Sequence, residues 1–367
     1  MDQETAQILF SEGAVLVLLD VPPGTEFGID YNAWNTGPNF KGVKMIPPGI
    51  HFVYYSARSG RGSDVAPRSG FFYNFKAKEV LVKKWDRLQE DITSGGVSQE
   101  EVERIQSNKK ELDRYLGAYP YESYKKWVSM TNHITEPVME SLQPINKTIC
   151  SVAQFVSERS DTKTRKEDAI KTTDKTTVSH DDDDPRLPKM DTIPGTQIRF
   201  SEIPKKKYPE GATPSEITKY SIDSSYVTVK IIQSKNLPSN HILGEVQFAF
   251  ICFLIGQTYD AFEQWKLLVH MLCTSEEAMA DYPALYNEFI SMLHFQIKDI
   301  PEDFFIDIVS RNNFLTSTLQ LFFSNLESSG ISENVLQRGL KFRDNLTKRF
   351  KWDFTTELDE DAPVVVE

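Results

Sequence analysis

The residues best suited to metal binding or nucleophilic chemistry are few and scattered along the sequence. His270 and Cys273 lie three residues apart, about one helical turn, which is half of a metal site. Completing such a site needs two more ligands, and His294 is the only candidate nearby. The alternative is that Cys252 and Cys273 are inert thiols within apolar helical stripes. We favour the inert thiols and expect neither a metal nor a cofactor.

Acidic side chains form two groups, and the first lies in a disordered run that lacks the rigid geometry a dedicated ion site needs. His180 precedes four aspartates, residues 181–184, in a polar stretch that could bind a divalent ion only loosely. We interpret this run as solvated charge. The second group follows Pro301, where acids in a first helical turn oppose the helix dipole. Its members are Glu302, Asp303 and Asp307.

The glycines and histidines of the N-terminal part do not complete a known catalytic motif. The segment from Gly24 to Gly28 lacks both the G-x-G-x-x-G spacing and a following Lys-Ser or Lys-Thr. The sequence also has no G-x-S-x-G motif. His51, near a turn, could serve an enzyme only if histidines and carboxylates clustered around it. An enzyme is one alternative, but the sequence favours a non-catalytic binding protein.

Composition narrows the choice of partner and compartment. The 367 residues suffice for two or three domains, and the net charge of −12 disfavours nucleic acid, whose phosphates are held mainly by Lys and Arg. Three cysteines make no disulfide framework and indicate a reducing compartment. The N-terminus is acidic, unlike a signal peptide, and the apolar run 15–19 is too short to span a membrane. We expect a soluble intracellular protein.

Two local runs are nevertheless basic. One is residues 205–207, three consecutive lysines, and the other is residues 341–351, with five Lys or Arg. Asp344 interrupts the second run and Asp353 follows it. Since long basic side chains commonly lie along helix surfaces, we interpret these runs as solvated helix faces.

Short apolar and aromatic runs separated by turn residues predict a β-rich N-terminal domain over residues 1–152. Pro-Pro-Gly triplets at 22–24 and 47–49 have the composition of type II turns, in which glycine supplies a positive φ. The strand-like alternation within these runs, with turns between them, predicts an antiparallel sandwich or open barrel. Ser98 and Glu101 form a capping-box signature that begins the trailing helices of this domain. The clearest strand segments are 14–19, 50–55, 70–75 and 80–82.

Residues 153–195 have the composition of a disordered linker. From Ser157 to Arg199 the sequence contains no aromatic residue, so burial there cannot offset the entropy of ordering the chain. Several hydroxyl side chains in the linker are candidates for phosphorylation, which would add charge near a partner interface. They include Thr172, Thr173, Thr176, Thr177 and Ser179.

A period of 3.6 residues predicts an all-helical domain over residues 196–354. Short connectors at 256–258 and 298–301 predict antiparallel neighbouring helices, stacked as a superhelix. The remaining tail, residues 355–367, is acidic. It ends in three good strand formers, Val364, Val365 and Val366. The five apolar stripes of the helical domain span residues 243–254, 262–272, 286–297, 314–322 and 342–350.

Six distinctive stretches of sequence lie at residues 24–34, 42–52, 208–219, 243–253, 312–320 and 349–354. In these stretches, which extend over nearly the whole chain except the linker, the chain resembles the a-one/alpha-two repression splicing factor homologues. In the linker the sequence differs freely from theirs. The signature positions that we take from the resemblance are Gly24, Glu26, Phe27, Gly28, Asp30, Trp34, Pro47, Pro48, Gly49 and Trp352.

The resemblance implies a β-rich, sandwich-like N-terminal domain with short helices, followed by an all-α superhelix similar to VHS domains. It implies an assembly factor of the U5 small nuclear ribonucleoprotein that is cytoplasmic and passes into the nucleus. Members of the family hold the central spliceosomal scaffold, pre-mRNA-processing-splicing factor eight, through its RNase H-like and Jab/MPN-like domains. They also keep the particle's helicase out until maturation, and in part of the family release is tied to phosphorylation.

We further expect a monomer within a hetero-complex, with no direct nucleic-acid binding and no membrane contact. A family tail can add a strand to the partner's sheet, and residues 364–366 occupy the corresponding place here. The tail could equally be a frayed terminus. We expect both domains to clamp the scaffold while the linker sets their separation. The alternative function is a VHS-like adaptor that binds short acidic peptides.

Overall fold

The central strands of the β-rich region are apolar and buried on both faces. The computed structural model describes residues 3–58, 66–93, 96–157, 190–234, 238–300, 314–328 and 330–354. The tail valines, the central part of the linker with its candidate phosphorylation sites, His180 and the acids after Pro301 all lie outside these residues. The strands of the region are β1 Ala14–Leu19, β2 Glu26–Ile29, β3 Asn32–Asn35, β4 Gly42–Ile46, β5 Gly49–Ser56, β6 Ser69–Phe75, β7 Val80–Asp86, β8 Asp91–Thr93, β9 Leu116–Ala118 and β10 Ile149–Cys150.

These strands make two five-stranded sheets, with the orders β8-β7-β1-β4-β9 and β10-β6-β5-β2-β3. The predicted sandwich-like domain is therefore confirmed. The expectation of purely antiparallel pairing is wrong, because β1 pairs in parallel with β7 and β4 pairs in parallel with β9. A local turn connects only antiparallel neighbours, so the turn signals in the sequence could not reveal these two longer-range pairings.

Alternate residues of one strand enter different cores. In β1, Leu16 and Leu18 lie between the two sheets, whereas Val15 and Val17 pack on the other face of the sheet, against Ile105. β5 behaves in the same way, because residues 53 and 55 face the other sheet while residues 52 and 54 face the helical region. Burial on both faces explains why these strands have continuous apolar runs.

Both Pro-Pro-Gly triplets place glycine at a positive φ, as predicted. Gly24 has φ +88° and Gly49 has φ +139°. At the first triplet, Pro22 O accepts hydrogen bonds from the Thr25 amide and from the Thr25 and Thr36 hydroxyls. The turn is thereby tied to the end of β3.

The helices follow the predicted stripes. Ser98 caps the helix after the sheets by accepting from the Glu101 amide at 3.2 Å, so this predicted helix start is confirmed. An N-terminal helix and a linker-end strand pair were not predicted. The helices are α1 Gln3–Glu12, α2 Gln99–Ser107, α3 Lys109–Leu112, α4 Tyr121–Thr131, α5 Glu136–Leu142, α6 Pro214–Ile222, α7 Ser225–Ser234, α8 His241–Leu254, α9 Tyr259–Cys273, α10 Glu276–Asp281, α11 Pro283–Asp299, α12 Phe314–Leu326 and α13 Glu333–Phe350, and the paired strands are β11 Phe155–Ser157 and β12 Met190–Thr192.

Helix α8 joins the sheets to the helical region. Its Phe248 ring stacks on Phe72 of β6 with ring centroids 4.5 Å apart. The Gln247 side chain accepts from the His133 amide and donates to the Asn132 side chain, each at 2.8 Å. From the sheet side, Arg68 donates to Ile255 O at the end of α8. The two regions therefore share one buried interface.

This interface changes one expectation. The domain boundaries drawn from the sequence stay predictions. The idea that a linker sets the separation of two independent domains is wrong, however, because α4 and α5 of the first region pack directly on α8. The sequence could not show this packing, since an apolar stripe indicates that a helix face is buried but not which element covers it.

The close approach of α8 to the turn before α5 depends on Gly244. A Cβ atom at this position would lie 2.4 Å from His133 O and 3.0 Å from Val138 Cγ1. Alanine favours a helix over glycine by about 1 kcal/mol. An overpacked core costs about 1–3 kcal/mol, and a backbone oxygen cannot rotate away. For an alanine at position 244, the destabilisation from this clash should therefore exceed the stabilisation from its higher helix propensity.

We predict that Gly244→Ala lowers the free energy of unfolding by about 1–2 kcal/mol, measured by urea denaturation. Gly37→Ala is the control, because a Cβ at Gly37 would have no atom within 4 Å, and its effect should stay within about 0.5 kcal/mol. Equal stability of the two variants would contradict the proposed tight contact.

Candidate functional site: an exposed sheet edge beside a buried histidine cluster

The sheet containing β5 buries a polar cluster centred on His51. The Nδ1 atom of His51 lies 2.7 Å from Asp30 Oδ2, and its Nε2 lies 2.8 Å from Pro47 O, to which Nε2 must donate because a carbonyl only accepts. Tyr119 donates to Asp30 Oδ2 at 2.6 Å, and the Phe52 amide donates to Asp30 Oδ1 at 3.0 Å. The partners of the Asp30 carboxylate come from two places, His51 and Phe52 from β5 and Tyr119 from the segment after β9.

This cluster is sealed from solvent. His51 is 1% exposed and Asp30 is 0% exposed. The Trp127 indole of α4 stacks on the imidazole at an interplanar angle of 11°, and burial together with the Asp30 carboxylate raises the pKa of Tyr119 above its ordinary value. A substrate has no access to such a group, so the geometry fits a structural cross-link between strands better than general acid–base catalysis.

The cysteine and histidine residues considered as metal ligands are in apolar surroundings. Cys252 and Cys273 are buried, and burial raises the pKa of both thiols, which disfavours the thiolate that a metal binds. His270 Nδ1 lies 3.4 Å from the Thr318 hydroxyl, while His294 contacts the Phe342 ring. Within the described ranges no three His, Cys, Asp or Glu side chains come together as a metal site.

Most signature residues lie in or beside the β2–β3 hairpin. Gly28 is required there because a Cβ would lie 2.1 Å from the Tyr54 ring. Glu26 pairs with Arg68 at 2.8 Å, and that arginine also lies over the Tyr54 ring. Phe27 is buried and stacks against Trp34, whose indole is 40% exposed.

The remaining signature residues lie apart from the hairpin. Pro47, Pro48 and Gly49 form the turn into β5, beside His51. Trp352 stacks on Phe350 and meets Phe354 edge-on after the last helix of the superhelix. The tail valines fall outside the described residues, so their role stays a prediction.

Strand β3 forms one open edge of its sheet in the described part of the chain. The Thr36 amide donates to Thr25 O, which makes this a hydrogen-bonded antiparallel pair. Bonded and non-bonded pairs alternate, so Phe27–Trp34 is bonded, and the backbone groups of Ala33 and Asn35 point away from β2. Residues 33–35 are all exposed. They offer donors and acceptors for another strand.

An apolar groove runs beside this edge. It separates β3 from β9, the edge strand of the other sheet, and Trp34 forms one wall. A second hollow that Trp34 also lines is more polar and includes Glu26 and Arg58. The combination of free backbone groups and apolar side-chain pockets fits the recognition of an extended peptide. The other residues lining the groove include Phe27, Phe40, Val43, Gly117 and Ala118.

Sequence reasoning missed several residues on which the site depends. Tyr119 and Trp127 enclose the His51 cluster, and Arg68 joins Glu26 to the end of α8. Only Trp127 gave a signal, since residues 121–134 have the aromatic pattern of a short helix among the predicted trailing helices. The other two come from a short strand end and a loop, where neither periodicity nor a motif distinguishes them.

Comparison with known proteins identifies the family. The model described as the AAR2 N-terminal domain matches residues 12–144, and that of the AAR2 C-terminal repeat region matches residues 200–355. "Protein AAR2 homolog" of Mus musculus is 48% identical over 100% of this chain and 97% of its own length. The chain belongs to the AAR2 family. This confirms the family resemblance seen in the sequence.

More distant AAR2 relatives cover most of the chain as well. "Protein AAR2 homolog" of Caenorhabditis elegans is 36% identical over 96% of this chain and 98% of its own length. "A1 cistron-splicing factor AAR2" of Saccharomyces cerevisiae is 22% identical over 77% of this chain and 76% of its own length. The exposed edge and the buried cluster both lie within the region matched by the AAR2 N-terminal domain.

The buried cluster yields a test of its structural role. Asp30→Ala removes the acceptor for His51, Tyr119 and the Phe52 amide, so we predict a loss of about 3–5 kcal/mol in the free energy of unfolding. Asp113→Ala is the control, since Asp113 pairs with Lys44 near the surface and should cost no more than about 1 kcal/mol. Chemical denaturation compares the two, and similar losses would refute this structural role.

Proposed function

We propose that this chain acts in pre-mRNA splicing as an assembly factor of the U5 small nuclear ribonucleoprotein. In this proposal it binds pre-mRNA-processing-splicing factor eight through the scaffold's RNase H-like and Jab/MPN-like domains and blocks early binding of the helicase. It works as a monomer in a hetero-complex, in the cytoplasm and then in the nucleus. No bond-making step is required of it.

The observation that carries the proposal is membership of the AAR2 family along nearly the full chain. The yeast relative is named a splicing factor, which supports a role in splicing for this chain. The burial of His51 and of Cys252 and Cys273 adds support for recognition rather than catalysis. The partner and the place in assembly come from the family resemblance of the sequence.

The sheet edge at β3 is the surface that we propose for one contact with the scaffold. An extended scaffold segment would pair with the outward backbone groups of Ala33 and Asn35 and would place apolar side chains beside Trp34. Because the two regions share one buried interface, contacts on both would be preorganised as one surface. Preorganisation lowers the entropic cost of binding a large partner.

The adaptor hypothesis makes a different prediction for the same protein. A VHS-like adaptor would bind short acidic peptides through its helices and would have no affinity for the scaffold. Isothermal titration calorimetry of the full chain against a scaffold fragment, and against acidic peptides, separates the two. Binding to the fragment together with exclusion of the helicase supports the assembly factor, whereas binding to the peptides alone contradicts it.

The proposed contact surface predicts the effect of Trp34→Ala. Exposed aromatic residues at interface centres commonly contribute more than 1 kcal/mol, so we expect scaffold affinity to fall at least about 10-fold. Leu88→Ala is the matched control, because Leu88 is 96% exposed and lies in the turn between β7 and β8, at the opposite edge of its sheet from β9 and the groove. The affinity of the Leu88→Ala variant for the scaffold should be unchanged. If Trp34→Ala binds normally while the wild type binds the scaffold, the contact lies elsewhere.

The tail provides an independent prediction. If residues 364–366 add a strand to the scaffold, deleting residues 363–367 should lower its affinity by at least about 10-fold, measured by the same titration. Substituting Val365 by proline tests the strand itself, since proline removes the backbone donor. Replacing Asp361 by asparagine is the control that keeps the backbone intact. Unchanged affinity after deletion would leave the frayed terminus as the correct interpretation.

A further inference from the structure

The second basic run of the sequence forms an exposed stripe on α13. Arg338, Lys341, Lys348 and Arg349 are all exposed, and their spacing places them on one side of the helix. Lys298, exposed at the end of α11, extends the stripe to the neighbouring helix. The stripe crosses the seam between these helices, because Arg349 donates to Lys298 O at 3.0 Å and Arg338 donates to the Ser291 hydroxyl.

The cations of this stripe form no close ion pair within the described part of the chain. None of its five cations has a described carboxylate within 4.0 Å, whereas Arg343, on another side of α13, pairs with Glu327 at 3.0 Å. His294 lies beside the stripe. Its pKa is lowered first by burial and then by the charges of Lys298 and Arg349. In a chain with net charge −12, this cluster is an attractive site for anions.

The chain's own tail is a strongly acidic segment that begins shortly after α13 ends. Residues 355–367 carry five Asp or Glu side chains and no Lys or Arg. The tail begins after Phe354, which is buried and meets the Phe323 ring with centroids 4.9 Å apart. The last described residue before the tail is therefore anchored against α12. The acids are Glu357, Asp359, Glu360, Asp361 and Glu367.

The length of the tail is sufficient to cover the stripe. An extended chain of this length reaches about 43–47 Å, at about 3.3–3.6 Å per residue. The 18 residues of α13 span only about 27 Å. Individual exposed ion pairs are weak, but a tether of this kind gives an effective concentration on the order of millimolar.

We propose that the acidic tail, residues 355–367, folds back onto the basic stripe formed by Lys298, Arg338, Lys341, Lys348 and Arg349. The contact is electrostatic and intramolecular. It covers the stripe, and a partner that takes up the tail must first displace it. The inference stands independently of the function proposed above, since it concerns one chain alone.

Nuclear magnetic resonance of the full-length ¹⁵N-labelled chain tests this contact through the tail amides. At an ionic strength of about 0.01 M, we expect broad tail signals displaced from random-coil positions. At about 1 M salt, where the screening length falls to about 3 Å, they should become sharp. Signals that are sharp and random-coil-like at both salt concentrations would overturn the proposal.

Charge-reversal variants locate the contact. The triple variant Lys341→Glu, Lys348→Glu, Arg349→Glu should give sharp tail signals already at low salt. The control reverses the other basic run, Lys205→Glu, Lys206→Glu, Lys207→Glu, with the same change in charge, and should leave the tail signals broad. If the tail signals became sharp in the control variant but not in the stripe variant, the tail would contact residues 205–207 instead of the stripe, and the proposal would be overturned.

A tail variant keeps the test decisive if the stripe variant fails to fold. Glu357→Gln, Asp359→Asn, Glu360→Gln and Asp361→Asn leave the described fold untouched and should also release the tail. Broad signals that persist in this variant would contradict an electrostatic contact. Broadening that depends on protein concentration would indicate a second copy of the chain as the occupant, which would also overturn the proposal.

Discussion

The structure depends on the complete burial of helix α8. Twelve of its 14 residues are buried, so the helix cannot exist at a surface without exposing a large apolar area. The sheets cover one side through Phe72, while α9 and α11 cover others. Separating the β-rich and helical regions would expose this helix to water, and the hydrophobic cost would oppose it. The two regions therefore fold as one packed body.

Burying α8 also requires its polar residues to find partners. Glu245 is 1% exposed and accepts hydrogen bonds from the amide and hydroxyl of Ser201, both at 2.6 Å. Gln247, which is fully buried, binds the turn before α5. Unpaired buried polar groups cost more than the net gain from pairing them, so these bonds fix one arrangement of the regions. Polar contacts thus select the orientation that apolar contacts stabilise.

A rigid body of this kind suits a protein that occupies surfaces on a larger partner. The exposed edge at β3 and the basic stripe on α13 belong to one packed structure, and neither needs a linker to define its position. The same arrangement leaves the His51 cluster inside the sheet, where it holds β2 and β5 to the turn at Pro47. His51, Cys252 and Cys273, the residues that the sequence offered for catalysis or metal binding, are thus buried in the fold.

By itself, the sequence determined the family and the longest helices and strands. The period of 3.6 residues located α8, α9, α11, α12 and α13, and continuous apolar runs located β1 and β5, because these patterns reflect burial along one local segment. Tertiary structure alone decided the parallel pairings, the enclosure of His51 by Tyr119 and Trp127, and the joining of the two regions at Gly244. Those features bring together residues far apart in the chain, and an apolar pattern specifies that a face is buried without specifying what covers it.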